Sequence, residues 1–225
     1  MHDPLSLLMP DRPEPVMTPE KTALLIVDLN GKDAHPDLGI ATFFRESGID
    51  GGEYYDRIRR ILPKVNELRK ACRDKGIQVI HTRVAARTAD CRDMNRSKRL
   101  AGRPFGWSPI HSPESAFLKG VEPQENEIVI DKTSTSVFTS TAIDQLLRNM
   151  GTDCLIGAGG MTDACLGYSV RDAADRGYRV ILVSDCTAAF TQQIHERALE
   201  HLDKGMIWVK TLHETLDMVG HSGRL

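Results

Sequence analysis

No run of apolar residues in this chain of 225 is long enough to cross a bilayer as a helix. Charge of one sign is not in excess either. The 29 Lys and Arg against 31 Asp and Glu leave a net charge of −2. Neither nucleic acid nor an anionic membrane is therefore expected as a partner. Cysteine pairs of the C-x-x-C kind are missing. The five cysteines (72, 91, 154, 165 and 186) are odd in number and scattered, which fits a reducing compartment better than a disulfide framework. No cluster of His, Asp and Cys has ligand spacing, and the eight histidines read as surface or core residues. No metal or other cofactor is expected. The opening Met1-His2-Asp3-Pro4 lacks the basic region and apolar core of a secretion signal, so the expected location is cytoplasmic. Internal repeats and low-complexity tracts are absent.

What is present centres on the stretch from Leu155 to Val180. Cys154 to Ala158 is short and apolar, as a buried strand should be. Gly157, Gly159 and Gly160 follow, and glycine allows backbone angles that other residues resist. Thr162 and Asp163 are good N-cap residues for a helix that Gly177 ends. Cys165 then falls in the first helical turn, where unpaired N–H groups and the positive dipole end favour a thiolate. In an open α/β sheet that is the place for a nucleophile. The plainer reading is a buried cysteine that fills the core.

Residues 1–20 hold five prolines and no periodicity, and read as an arm lying on the surface or on a neighbouring subunit. Residues 21–225 read as one domain, a natural size for an α/β unit with a substantial core. Thr22 to Leu29 is a continuous apolar run, the mark of a strand buried on both faces. Asp28 ends it, and a carboxylate there is costly unless paired or used. It reads equally as a cap or turn residue. Gly31 to Gly52 reads as a loop carrying His35, Phe43 and Phe44. Tyr54 to Lys75 has helical periodicity, with Pro63 as a point of bending and Gly76 as its stop. Ile77 to His81 is the second expected strand. Val84 to Asn126 shows no regular pattern and carries Arg87, Arg92, Arg96, Trp107, His111 and Phe117, with Arg83 just before it. A loop so long in a compact domain is usually functional. Glu127 to Ile130 is the third strand, with Lys132 just past its end. A helix over Ser140 to Met150 follows. After the cysteine helix come a strand over Arg179 to Ser184, a helix over Thr191 to Lys204, a short strand over Met206 to Val209 and a helix over Thr211 to Val219. The alternation predicts a three-layer, doubly wound α/β fold: a mainly parallel sheet of six strands with helices on both faces. Asp28, Lys132 and Cys165 then reach one edge of the sheet from three different strands.

Three motifs, Ile26-Val27-Asp28-Leu29-Asn30, Asp131-Lys132-Thr133-Ser134-Thr135-Ser136-Val137-Phe138 and Gly160-Met161-Thr162-Asp163-Ala164-Cys165, together resemble the isochorismatase-like cysteine hydrolases from about Thr22 to about Trp208. The resemblance implies a catalytic triad of Asp28, Lys132 and Cys165. It also implies a cis peptide between Gly160 and Met161, and an oxyanion hole made by the N–H groups of Met161 and Cys165. Asn30 stands where many members carry Gln. The Asp-x-His pattern of the metal-binding nicotinamidases is missing from His81 to Arg87, which argues against a metal and against a pyridine amide substrate. Members that cleave the vinyl ether of isochorismate typically lack the cysteine, so Cys165 favours carbon–nitrogen bond hydrolysis.

The expected function is a cysteine amidohydrolase acting on a small amide or ureido (carbamoyl) compound through a thioester, with release of ammonia or an amine. The alternatives are a vinyl ether hydrolase of the isochorismatase type and a nicotinamidase-like amidase. Asn30, His35, Phe43, Arg83 and Arg87 are the candidate substrate-binding residues. An arginine near the site can hold a carboxylate or ureido oxygen. Equally, both arginines can face water or pair with Asp90 and Asp93. The resemblance also implies a homo-oligomer, a dimer or tetramer.

Overall fold

Strand β1 (Thr22–Val27) is buried along its whole length, and its side chains feed two separate cores. Leu24 and Ile26 face one side, while Ala23, Leu25 and Val27 face the other. A strand covered on both faces must be apolar throughout, which is why the run shows no alternation. The computed structural model describes residues 12–96 and 108–221. The expectations for 1–11 and for Trp107 lie outside the described residues.

The remaining strands are β2 (Gln78–Val84), β3 (Ile128–Lys132), β4 (Cys154–Gly160), β5 (Arg179–Ala188) and β6 (Ile207–Lys210). They form one sheet in the order β3-β2-β1-β4-β5-β6, with every pairing parallel. The chain builds β1, β2 and β3 outward in one direction, then returns to lay β4 against the other side of β1. That reversal opens a crevice at the carboxyl ends of β1 and β4, where open α/β sheets place their sites.

Among the described residues eight α-helices flank the sheet: α1 (Gly31–Ala34), α2 (Ile40–Glu46), α3 (Gly52–Asp74), α4 (Val137–Ser140), α5 (Ile143–Asn149), α6 (Cys165–Asp175), α7 (Gln192–Leu202) and α8 (Leu212–His221). Helix α3 buries Ile58, Ile61, Val65, Leu68 and Cys72, a stripe at helical spacing, in the same core as Ile156, Ile181 and Val183. Each such side chain gains about 1.5–3 kcal/mol on leaving water. Helix α8 contributes Leu212 and Val219 to that core. Leu147 of α5, Leu166 and Val170 of α6 and Leu202 of α7 fill the other.

Several expected boundaries shift. The segment Gly31 to Gly52 is not a bare loop but contains α1 and α2. The expected helix over 140–150 is α5, starting three residues later, and the short α4 precedes it. Thr141 Oγ1 donates to Val137 O at 2.7 Å and accepts from Ile143 N at 3.2 Å, so the hydroxyl ends one helix and starts the next. Pro63 lies inside an uninterrupted α3. Strand β1 stops at Val27 because Asp28 turns to φ 52°. Strand β2 runs on to Val84 and β5 to Ala188, beyond the expected ends.

Candidate active site

Asp28 is the first residue past β1 and is 1% exposed. Its N–H donates to Thr82 O at 3.0 Å, which ties it to the neighbouring strand β2. Thr82 Oγ1 donates to Asp28 Oδ1 at 3.2 Å. Lys132 is the last residue of β3, two strands away, and is fully buried. Its ammonium reaches back across β2 to stand 2.8 Å from Asp28 Oδ2. Lys132 Nζ also donates to Ser134 O at 3.1 Å and to Thr135 O at 3.0 Å. Two backbone carbonyls and one carboxylate oxygen thus surround the ammonium. Burial by itself would lower the Lys132 pKa. The charges of Asp28, Cys165 and Asp33 outweigh it and hold the pKa above the ordinary lysine value. Lys132 is therefore a locked cation that cannot serve as a base near neutral pH.

The thiol arrives from the other side of the crevice. Strand β4 ends in Gly159 and Gly160, and the Gly160–Met161 peptide is cis. Gly159 has φ 108°, and a Cβ there would lie 2.2 Å from Val27 O. Only glycine lets β4 run this close to the end of β1. Cys165 opens α6 and is 7% exposed. The N-cap is Ala164, with no side-chain cap, rather than Thr162 or Asp163. The reason is that Thr162 Oγ1 is committed elsewhere, to Thr187 Oγ1 and His195 Nδ1. Met161 O accepts from Ala164 N at 3.0 Å and from Leu166 N at 3.2 Å, which fixes the turn. Its own N–H has no backbone acceptor among the described residues. The five cysteines are thiols, with no disulfide between them.

Three further groups converge on this place. Asn30 is fully buried, and its amide donates to Asp28 O at 3.2 Å and Asp33 Oδ2 at 3.1 Å once the nitrogen is turned toward these acceptors. Lys32 and Asp33 form a buried ion pair at 2.6 Å. Tyr54, 1% exposed, donates its hydroxyl to Asp33 O at 2.9 Å. Burial, then the charges of Asp33, Tyr55, Cys165 and Asp28, push the Tyr54 pKa well above its usual value. The phenol therefore stays a neutral donor.

Of the residues singled out from the sequence, Asp28, Lys132, Cys165, Met161 and Asn30 meet at the crevice. The other four have local engagements. His35 is half-buried, and its Nδ1 accepts from Asp37 N at 3.1 Å. Phe43 is half-buried beside Phe44, with ring centroids 6.3 Å apart. Arg83 sits at the sheet edge, but its Nε donates to Asp131 Oδ1 at 2.7 Å and its Nη1 to Ser115 O at 2.8 Å. The guanidinium also lies 5.1 Å from the centre of the Phe117 ring. Arg83 thus holds the Ser115–Phe117 segment, whose Phe117 bridges Asn30. Arg87 is exposed, and its N–H donates to Asp93 Oδ2 at 2.8 Å. Among the described residues no group of three or more His, Cys, Asp or Glu could hold a metal ion.

Thr82, Tyr54 and the Lys32–Asp33 pair were not singled out from the sequence. The only signal for the pair was two adjacent opposite charges close behind Asp28 in a glycine-bearing segment. Thr82 gave none, because its role depends on β2 lying beside β1.

The arrangement is that of an α/β protein with a polar, buried site at the switch point of its sheet. The chain belongs to the isochorismatase family, whose domain description matches residues 22–214. It is similar to the maleamate amidohydrolase of Pseudomonas putida, 30% identical over 150 residues that cover 66% of this chain and 70% of that one. It is also similar to the ureidoacrylate amidohydrolase of Agrobacterium fabrum, 24% identical over 231 residues that cover 96% of this chain and 98% of the other. Among solved structures, a cysteine hydrolase from Pseudomonas syringae superposes with a TM-score of 0.78 at 23% identity, covering 91% of this chain and 95% of that one.

Proposed function

We propose that this protein is a cysteine amidohydrolase that cleaves the carbon–nitrogen bond of a small amide or carbamoyl compound, with Asp28, Lys132 and Cys165 as its triad. The observation that carries the reading is the buried Asp28–Lys132 ion pair of 2.8 Å, set across the switch point from a thiol at a helix start. With Lys132 locked as a cation, Asp28 is the base within this set.

Asp28 takes the proton of Cys165, and Lys132 stabilises the negative charge that moves between carboxylate and thiolate. The thiolate attacks the carbonyl carbon. The oxyanion forms against the N–H groups of Met161 and Cys165, and loss of one such donor typically costs about 10²–10³ in rate. Asp28 returns its proton to the leaving nitrogen as the carbon–nitrogen bond breaks. It then deprotonates a water, which hydrolyses the thioester and frees the acid and the thiol.

Maleamate and ureidoacrylate, the compounds named for the two curated relatives, each join a carbonyl–NH₂ group to a carboxylate. We extend that substrate class to this chain, ahead of neutral pyridine amides. The reading includes a homo-oligomer, dimer or tetramer, with the arm of residues 1–20 able to reach a neighbouring subunit, and a cytoplasmic location.

Ammonia release from a panel of small acids bearing an amide or carbamoyl group, run beside nicotinamide, tests the proposal. Turnover of the acids with loss of activity in Cys165→Ala is expected, together with a mass increment on Cys165 when the thioester is trapped. Iodoacetamide should modify Cys165 first. The rival Cys186 is fully buried, and burial pushes its thiol up to about 12. Full activity in Cys165→Ala would refute the covalent mechanism and favour ether hydrolysis. A preference for nicotinamide would refute the substrate class.

A further inference from the structure

Thr162 lies between Met161 and Cys165 in sequence, and its side chain points away from the crevice into α7 and the end of β5. Its hydroxyl, fully buried, is 2.9 Å from His195 Nδ1 and 3.1 Å from Thr187 Oγ1. Its N–H donates to Ala188 O at 2.8 Å. In the neutral ring with its proton on Nε2, His195 presents Nδ1 as an acceptor. Thr162 then donates to Nδ1, and Thr187 donates to Thr162. The result is a chain of hydrogen bonds with a single direction, running Thr187 to Thr162 to His195.

We infer that His195 is a positioning residue for the oxyanion turn: its neutral ring anchors the Thr162 hydroxyl and so sets where the Met161 N–H points. The inference rests on the proposed covalent mechanism. An oxyanion donor works only when it is fixed before the charge develops. Met161 has its carbonyl tied inside the turn, and among the described residues the side-chain tether from this turn to β5 and α7 is Thr162. Protonation of His195 would turn Nδ1 into a donor and reverse the chain.

The ring is 8% exposed and lines a cleft of about 550 Å³. Arg57, Arg60 and Lys64 of α3, Asp185 of β5 and Glu196 of α7 line the same cleft. Burial, then Arg57, lowers the His195 pKa from its usual value, against the opposing pull of Glu196, the Ser184 carbonyl and Asp163. The neutral form is therefore the working form at neutral pH. The rate should fall as pH drops through the pKa of His195.

The test compares His195→Leu, which removes the acceptor, with His195→Asn, which can return an oxygen near the position of Nδ1. Each is measured for kcat, KM, thermal midpoint and the rate of iodoacetamide alkylation of Cys165. In His195→Leu kcat should fall about tenfold or more, part of the loss expected for a missing donor. KM and the alkylation rate should stay within about twofold, because neither needs the oxyanion donors. His195→Asn should recover most of kcat and lose the acid limb of the wild-type pH profile. If His195→Leu does not fold, Thr162→Val against Thr162→Ser makes the same comparison from the other end of the bond. Equal losses within either pair, an unchanged kcat, or a change confined to KM would overturn the inference. Failure of the underlying mechanism shows separately, as activity that survives in Cys165→Ala.

Discussion

Two buried carboxylates sit at opposite edges of the sheet, both held by cations, and they are built differently. Glu127 lies just before β3, with its side chain 2% exposed. Its Oε1 receives Arg73 at 3.1 Å and faces Arg69 at 3.6 Å, while its Oε2 takes Gln124 N and His81 Nε2, each at 2.8 Å. Burial pushes its pKa up, but the Gln124 N–H, His81, Arg73 and Arg69 together hold it below the usual carboxylate range. Asp28 has far fewer donors. Thr82 serves one oxygen, and the other meets only the Lys132 ammonium among the described residues. A saturated carboxylate is a clamp, and here it ties α3 to the start of β3. A carboxylate with spare lone pairs and a single fixed cation is suited to the base of the proposed mechanism.

Substitutions can break that contrast, and the largest effect is expected at Asp28. Asp28→Asn should lower kcat by about 10³-fold or more, since it removes the base and leaves the thiol protonated. It also strands a buried ammonium, which should destabilise the fold by about 3–5 kcal/mol in denaturant titration. The double variant Asp28→Asn with Lys132→Met should regain much of that stability and none of the activity. A double variant as unstable as the single one would mean that the ion pair is not the source of the loss.

Glu127→Gln is the complementary case and should produce the reverse pattern. Losing the charge among Arg69, Arg73 and His81 should cost about 2–4 kcal/mol of stability, with kcat within about twofold of wild type. The pH dependence has a defined sign. The folded pKa of Glu127 lies below its unfolded value, so its contribution is full above the ordinary glutamate pKa of about 4.3 and fades as pH falls through the folded one. The stability gap between wild type and Glu127→Gln should therefore narrow on acidification. A gap that is constant from pH 7 to pH 3 would contradict the assignment.

The smallest effect is expected at Arg83. Because its guanidinium is engaged by Asp131 and Ser115, Arg83→Ala should raise KM a few-fold for all substrates alike, by loosening the segment that carries Phe117. A rise limited to carboxylate-bearing substrates would instead place the arginine on the substrate.

These differences also mark what a linear reading can reach. The placement of Asp28, Lys132 and Cys165 was legible because each ends or follows an apolar run, and parallel strands deliver their ends to one edge. Doubly wound topology followed from the alternation of strand and helix. The break at Thr141 was not legible, because a hydroxyl bonding its own backbone leaves the apolar periodicity intact. Helices α1 and α2 were hidden by the glycines around them. Arg83 was correctly placed at the sheet edge, but which way its side chain turns depends on Asp131, its cross-strand neighbour on β3. The roles of Thr82 and Tyr54 come from neighbours distant in sequence.

Strand β1 lies against β4 from Thr22↔Cys154 to Val27↔Gly159, although more than half of the chain separates them. A nascent or refolding chain can assemble β1, β2 and β3 through the crossovers 28–77 and 85–127 before β4 is in place. The crevice does not exist until β4 returns to β1, a pairing of high sequence separation, and such pairings form slowly. Carboxylate and ammonium can therefore meet well before the thiol reaches them. In a refolding experiment, helical signal should recover ahead of alkylation by an active-site-directed reagent, and hydrolytic activity should appear only as this last pairing is made.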